Sequence, residues 1–241
     1  MPRMVAIVLV AGLLTSACGT TSRQVQPTAA DLQTIKRLAV VVTGDDPFRV
    51  VAERAEGPGK AAKAAAVGGA VGGVVGGLLG YAIGGGFSSD NPESRDKQTA
   101  RTLAVHLNGF SPHRVFADAF ARALQDSGRV ADVIVLDKDP GSDARFDAVA
   151  EFRIEEWGIR RAVADDNSRL AGFLKLKARV AKTTNDDPLW REWDTVLGQG
   201  RYDLATYRDD GETLRKELRE VATDAGQRMA TRLLYPKETP K

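Results

Sequence analysis

Cysteine and histidine are scarce, because this chain of 241 residues contains one Cys and two His. Thiolates and imidazoles are the usual protein ligands of transition metals, so we expect no metal site and no cofactor. The sequence also lacks HExxH, CxxC and a Ser-x-Gly nucleophile elbow, motifs that hold catalytic groups at a defined spacing. We therefore predict no catalytic residue and a protein that is not an enzyme.

A surplus of charge of one sign is also missing. The chain has 34 Lys and Arg residues against 32 Asp and Glu residues, a formal net charge of +2. Without a basic surplus we do not expect binding to the phosphate backbone of nucleic acid. Apolar residues make up 43% of the chain and charged residues 27%, which indicates a hydrophobic core in a protein that is not mostly embedded in membrane.

The single cysteine, Cys18, follows a segment typical of a secretory signal. Arg3 supplies a positive charge, Val5–Leu14 is apolar but too short to span a bilayer, and small residues come next. This pattern resembles the signal of bacterial lipoproteins, in which the cysteine thiol is acylated, with palmitate as a typical chain, and becomes the first mature residue. That family usually has leucine where this chain has Thr15. An ordinary cleaved signal is the alternative.

The resemblance implies residues 1–17 as a signal peptide and residues 18–34 as a lipidated, polar tether. Gly19 follows the cysteine, whereas an aspartate there resembles an inner-membrane retention signal. We therefore expect a cell-envelope protein anchored by lipid to the outer membrane and facing the periplasm. The mature chain has no second cysteine that could pair wrongly in this oxidising compartment.

Hydrophobic patterning predicts one domain over residues 35–236. Branched apolar residues at Lys36–Thr43 and Val130–Leu136 indicate buried strands, and Ser111–Gly128 indicates a capped amphipathic helix between them. These elements can form a right-handed β-α-β crossover. In contrast, the polar residues 88–101 predict a loop, which we expect to be followed by a short strand over 103–110.

Three later segments, which begin near Phe146, Leu170 and Leu189, alternate between apolar and polar residues. This alternation predicts antiparallel strands with one buried and one exposed face. A last helix is expected over 212–234. The predicted fold class is α+β or α/β: a mixed sheet, with a β-α-β unit followed by an antiparallel meander, covered by two helices and carrying an inserted glycine-rich helix.

The segments KRLAVVV, FADAFARALQDSG, VADVIVL and LWREW carry a resemblance at the level of the domain. They are similar to the periplasmic α/β domain that curli-secretion lipoproteins share with the amino-terminal domain of the Tol translocation protein. The resemblance implies a role in the envelope and the association of several copies.

A glycine-rich insertion at residues 60–101 interrupts the domain. Glycines recur there at every fourth position, which on a helix places them along one face: Gly68, Gly72, Gly76, Gly80 and Gly84. Such a face lets a second helix approach closely. The uncharged stretch Ala64–Phe87 would form a helix about 36 Å long, enough for a hydrocarbon core of about 30 Å.

The glycine repeat resembles the glycine-zipper segments of bacterial surface antigens, which implies membrane insertion or self-association into a homo-oligomer. Each interior glycine destabilises a helix by about 1 kcal/mol relative to alanine. Close backbone contact away from water would have to offset this loss of stability. A flexible low-complexity loop and a buried helix within the domain are the alternatives.

Trp190 and Trp193 are the remaining candidates for a site. They lie three positions apart on a predicted strand and therefore point to opposite faces, so at most one enters the core and the other is a candidate partner contact.

Together these features favour a lipid-anchored envelope protein that acts without catalysis in envelope assembly, secretion or integrity. Its expected partners are the membrane and envelope proteins. A transporter-accessory or solute- or lipid-binding lipoprotein is the alternative, and a concave apolar pocket would favour it.

Replacing Gly72, Gly76 and Gly80 with Leu is expected to disrupt close association while keeping the segment hydrophobic, because leucine side chains fill the groove between helices. Crosslinking in intact envelopes and detergent extraction measure the effect, and the zipper hypothesis predicts fewer crosslinked oligomers. Unchanged oligomers together with unchanged extraction would contradict the hypothesis.

Overall fold

The computed structural model describes residues 25–44, 46–52, 92–141, 143–161, 169–185, 187–199 and 202–236. Cys18 and the glycine repeat lie outside these residues, so their predicted roles stay predictions. The described helices are α1 (Ala29–Thr34), α2 (Pro92–Ala104), α3 (Pro112–Asp126), α4 (Leu204–Asp209) and α5 (Gly211–Leu234). The described strands are β1 (Arg37–Thr43), β2 (Arg49–Ala52), β3 (Asp132–Leu136), β4 (Ala148–Arg161), β5 (Leu170–Lys182) and β6 (Pro188–Leu197).

The six strands form one mixed sheet. β1 lies between β3 and β4 and runs parallel to both, while β2 pairs in parallel with the far end of β4. β4, β5 and β6 follow one another as an antiparallel meander. The predicted fold class, a β-α-β unit followed by a meander, is therefore confirmed.

The main core lies between one face of the sheet and the helices. α3 and α5 pack against each other and against the sheet, and α2 and α4 add further buried side chains to the same cluster. Phe152 of β4 makes edge-on ring contacts with Phe116 and Phe120 of α3, with ring centres 4.8 and 4.6 Å away. Edge-on contacts are a preferred aromatic geometry, so these rings fix the position of α3 over the sheet.

The predicted helix with its caps is confirmed in α3. Ser111 caps its first turn, where the Ser111 hydroxyl accepts a hydrogen bond from the Arg114 N–H at 3.3 Å, and Pro112 is the first helical residue. The chain leaves the helix through Gly128, whose φ of 66° lies in the left-handed region that glycine tolerates. The last predicted helix, over 212–234, is likewise confirmed as α5.

The loop predicted for 88–101 and the strand predicted for 103–110 are wrong where the structure describes them. Residues 92–104 form α2, and a 3₁₀ turn at Val105–Leu107 follows. Thr99, Leu103 and Leu107 recur every fourth residue and are all buried, so the polar sequence hides a narrow helical stripe. An ion pair of 3.2 Å between Asp96 and the buried Arg161 of β4 adds a second attachment.

Part of the predicted tether is folded. Val25 forms an antiparallel bridge with Arg191 of β6, and α1 begins with a reciprocal capping box between Thr28 and Asp31. Asp31 also lies 3.6 Å from the ammonium group of Lys182 at the end of β5. Val25 and α1, which the sequence assigns to the tether, therefore contact the sheet.

A close backbone contact joins α3 and α5 at Gly226. A Cβ atom built there would lie 2.7 Å from the Phe116 carbonyl oxygen and 2.9 Å from the Phe120 backbone nitrogen. These are backbone atoms in the middle of another helix, so they cannot move aside without shifting α3.

Gly226→Ala is expected to lower the free energy of unfolding by about 1–3 kcal/mol, because the added methyl group overpacks the contact with α3. The sign of the change distinguishes a packed from an exposed position, because replacing glycine with alanine at an exposed helix position raises the free energy of unfolding by about 1 kcal/mol. Urea unfolding measures the change, with the exposed neighbour Gln227→Ala as the control. A stabilised Gly226→Ala protein would contradict the close packing of α3 on α5.

Candidate functional site

The candidate site lies on the second face of the sheet, which we call the open face. In the part of the chain that the structure describes, the large buried apolar side chains of α2 to α5 join the core on the opposite face. On β4, β5 and β6 the open face carries the buried apolar side chains of Val149 and Phe173. Most of its other side chains are charged, and one is a tryptophan: Glu151, Arg153, Glu155, Lys175, Lys177, Arg179, Arg191 and Trp193.

Strand register arranges these side chains in two rows across the sheet. One row aligns Arg153, Lys177 and Trp193, and the next aligns Glu151, Arg179 and Arg191. Facing residues on neighbouring antiparallel strands have Cβ atoms about 5 Å apart, so the members of each row are direct neighbours.

Ion pairs neutralise some of these cations. The Arg179 guanidinium lies 2.9 Å from Glu151, and Lys175 lies 3.6 Å from Glu155, which also pairs with Lys177.

The two arginines at the ends of the rows, Arg153 and Arg191, have side chains that are exposed and form no ion pair with any described residue. The open face therefore presents two guanidinium groups whose charge the described residues leave uncompensated.

A shallow depression of about 460 Å³ lies among these side chains. Val41 and Thr43 of β1 line one end, Arg191 and Trp193 of β6 line the other, and Asp139 lies at the border. The depression is open to solvent and bordered by charge. Its lining combines apolar side chains, such as Val41 and Trp193, with charged ones, so it only partly fits the concave apolar pocket that would favour a solute- or lipid-binding lipoprotein.

The two tryptophans lie where their spacing predicts, on opposite faces of β6. Trp190 is fully buried in the core, so its side chain is not available to a partner, whereas Trp193 is 47% exposed on the open face. Sequence analysis did not single out Arg153 and Arg191. Their strands were predicted, but the register that pairs Glu151 and Glu155 with cations of β5 rather than with Arg153 or Arg191 is a property of the assembled sheet.

A buried carboxyl group at Glu217 of α5 is the one acidic side chain in the described core with a clearly perturbed pKa. Burial raises the pKa of Glu217 above its usual value, and this effect exceeds the opposing effect of a 3.0 Å hydrogen bond from the Gly172 N–H. Burial, followed by the nearby Glu217 charge, also raises the pKa of the Tyr207 hydroxyl. Such shifts occur at catalytic sites, but this carboxyl group is enclosed by the backbone at Gly172 and Gly198, so we interpret it as structural.

The described residues contain neither a candidate metal site nor a candidate membrane-spanning helix. No group of three or more His, Cys, Asp or Glu side chains there could hold a metal ion. Within the same residues, no helix combines the length and the hydrophobicity that crossing a bilayer requires.

Comparison with known proteins gives similarity in structure only. No family model matches the chain, and no curated protein matches it significantly. Similar solved structures include a DUF330-family protein from Xanthomonas campestris, with 14% identity, coverage of 87% of this chain and 91% of that chain, and a TM-score of 0.40. A minor lipoprotein from Acinetobacter baumannii has 13% identity, coverage of 86% and 98%, and a TM-score of 0.32.

A third similar structure is the PelC dodecamer from Paraburkholderia phytofirmans, with 12% identity, coverage of 85% of this chain and 95% of that chain, and a TM-score of 0.34. Bacterial lipoproteins are thus among the structures that this chain is similar to. The resemblances to curli-secretion lipoproteins, to the Tol protein and to glycine-zipper antigens stay predictions.

Glu217→Gln should increase stability in a pH-dependent way. Because burial raises the folded-state pKa of Glu217, the contribution of this group to the free energy of unfolding is fully present below pH 4.5 and is lost as the pH rises through the folded-state pKa. Glutamine keeps an acceptor for Gly172 without the charge, so the Glu217→Gln protein should gain more stability relative to wild type at pH 8 than at pH 4. Urea unfolding at both pH values, with the exposed Glu220→Gln as control, measures this, and a pH-independent difference would contradict it.

Proposed function

We propose that this chain is a lipid-anchored protein of the cell envelope that binds a partner through the open face of its sheet. It acts without catalysis in envelope assembly, secretion or integrity, and Cys18 carries the lipid that holds it at the periplasmic side of the outer membrane. The observation that carries the proposal is the one-sided placement of the described helices, which pack on one face of the sheet, while the other face carries the exposed side chains of Arg153, Arg191 and Trp193.

The composition of the open face supports a binding role. Trp193 leaves a large aromatic surface in water, and tryptophan and arginine are the residue types enriched where proteins bind partners. Scattered exposed apolar residues need no explanation, but here the tryptophan lies next to Arg191 on β6 and lines a depression in the surface together with Arg153.

The titratable groups support binding rather than catalysis. Glu151 and Glu155 are engaged in ion pairs with cations of β5, and the buried Glu217 is enclosed by backbone. A general acid or base must reach the proton that it transfers in a bound substrate, and these carboxyl groups are arranged as structural partners instead.

The attachment of the glycine-rich insertion constrains how it could meet a membrane. Residues 53–91 join Ala52 of β2 to Pro92 of α2, and these ends are close: Ala52 pairs with Arg161, whose guanidinium contacts Asp96 in the second turn of α2. Both ends therefore leave the same region of the domain. One crossing of a hydrocarbon core about 30 Å thick would place the ends on opposite sides.

We therefore favour self-association through Gly68, Gly72, Gly76, Gly80 and Gly84, or an insertion that enters and leaves on one side, over a single membrane span. A return path would otherwise have to carry charged residues through hydrocarbon, which is costly: Glu53, Arg54, Glu56, Lys60 and Lys63. Self-association would make the protein a homo-oligomer.

A transporter-accessory or solute-binding lipoprotein is the second candidate function. The depression beside Trp193 favours it, because its volume of about 460 Å³ falls within the range of small-molecule sites. The charged border argues for a polar occupant.

Cys18→Ser is expected to abolish incorporation of labelled palmitate and to release the protein from the outer-membrane fraction, because the acyl chains supply the anchor. Radiolabelling and membrane fractionation measure both effects. Cells that lack the protein should also become more sensitive to sodium dodecyl sulfate, and neither Cys18→Ser nor the double variant Trp193→Ala with Arg191→Gln should restore resistance.

The matched control for this experiment is Arg122→Gln with Arg219→Gln, which removes two exposed charges from α3 and α5 on the other side of the domain. It should restore resistance fully. Palmitate labelling of the Cys18→Ser protein would contradict the anchor, and full restoration by the open-face variant would contradict the binding role of that face.

A further inference from the structure

We propose that the depression on the open face binds an acidic saccharide, that is, a sugar chain bearing carboxylate or phosphate groups. The inference rests on the proposed function in one respect, because it takes the open face to be the binding surface. It adds the chemical class of the ligand.

The dimensions of the depression suit a short stretch of a sugar chain. Trp193 lies at one end of the depression and Arg153 lies in the same cross-strand row, with one strand between them. Neighbouring strands are about 4.8 Å apart, so the backbones at these two positions are about 10 Å apart. That distance suits one or two sugar rings lying across the strands, with one ring against the indole. Indole rings offer a flat apolar surface that matches the C–H face of a pyranose.

The guanidinium groups of Arg153 and Arg191 can bind the negative charge of the saccharide. Guanidinium groups bind carboxylate and phosphate through two parallel hydrogen bonds, and Arg153 and Arg191 are the cations of the open face that form no ion pair with described residues. An incoming anion therefore gains charge-assisted contacts without having to break an existing ion pair. The adjacent Lys177 and Arg179 add positive potential while they remain bound to Glu155 and Glu151.

Carboxylates near the depression can accept hydrogen bonds from the hydroxyl groups of the saccharide. A sugar presents several O–H donors, and carboxylate oxygens are strong acceptors for them. Glu151 contacts Arg179 through one oxygen, and Asp139 lies at the border of the same depression, so acceptors are available beside the cations. A mixture of arginines, carboxylates and one exposed tryptophan matches a ligand that carries both anionic groups and hydroxyls.

The same carboxylates argue against an anionic membrane surface as the occupant. A plane of lipid headgroups would bring negative charge against Glu151, Glu155 and Asp139 together with the arginines. Surfaces that bind membranes typically combine cations with apolar side chains that enter the acyl boundary. Here the surface is concave, so we infer a discrete polar ligand.

The test uses the full-length protein purified in mild detergent. Polygalacturonate serves as the carboxylated probe and yeast phosphomannan as the phosphorylated probe, so that the two sources of negative charge are distinguished. Dextran, polyglutamate and phosphatidylglycerol vesicles serve as neutral, peptide and membrane comparisons. We expect saturable binding, measured by calorimetry and tryptophan fluorescence, to at least one acidic saccharide. Its affinity should fall as salt rises, and the three comparisons should bind at least about tenfold more weakly.

Variants locate the site. Arg153→Gln with Arg191→Gln should weaken saccharide binding by at least about tenfold, since two charge-assisted contacts are lost. Trp193→Ala should weaken it similarly, whereas Trp193→Phe should keep most of the affinity because a flat ring remains. The pair Arg122→Gln with Arg219→Gln removes the same net charge from the helix side and should leave binding unchanged. Thermal unfolding of each variant verifies that it is folded.

Several results would overturn the inference. One is that neither acidic saccharide binds saturably. Another is that polyglutamate or the lipid vesicles bind as tightly as the acidic saccharides. A third is that Arg122→Gln with Arg219→Gln weakens saccharide binding as much as Arg153→Gln with Arg191→Gln does. If the wild-type protein is labelled with palmitate and supports resistance to sodium dodecyl sulfate but binds no acidic saccharide, only the inference about the ligand fails. Saccharide binding by a protein that is neither labelled nor held in the envelope would instead contradict the proposed function.

Discussion

The pairing of β4 with β5 in a single register is the constraint on which the rest of the structure depends. It sets Phe152 opposite Ala178 and Ile154 opposite Leu176, with Arg153 facing Lys177 on the reverse side. A slip by one residue would turn these charges into the core and expose the aromatic cluster beneath α3. The register is therefore held by the large apolar area that the helices bury on one face.

This one-sided burial also explains how the helices are attached. Polar contacts at the margins support the hydrophobic core: Arg232 of α5 lies 3.1 Å from Asp194 and 3.7 Å from Glu192 of β6, and Asp96 ties α2 to the end of β4. Because these acidic residues of β6 point towards α5, they do not neutralise Arg191 on the other face. The ion pairs that stabilise the helix layer thus leave positive charge and Trp193 on the surface that we propose binds the ligand.

The sequence predicts the elements whose signals are local. Period-two alternation identified the three meander strands, and the cap at Ser111 with the apolar stripe behind it identified α3. α2 was missed because its sequence is mostly polar, and its stability comes from a stripe at Leu103 and Leu107 together with a distant arginine. For the site, Trp193 follows from strand geometry. In contrast, that Arg153 and Arg191 form no ion pair with a described residue depends on which strands become neighbours, and no local pattern encodes this.

The most direct test of the open face is hydroxyl-radical footprinting of the purified full-length protein, read residue by residue by mass spectrometry. Radical oxidation of an indole ring follows its exposure to solvent, and the two tryptophans of β6 differ greatly in exposure, at 0% for Trp190 and 47% for Trp193. The register described here predicts rapid oxidation of Trp193 and protection of Trp190 until the protein unfolds. Comparable oxidation of both, or faster oxidation of Trp190, would contradict the assignment of the two faces of the sheet.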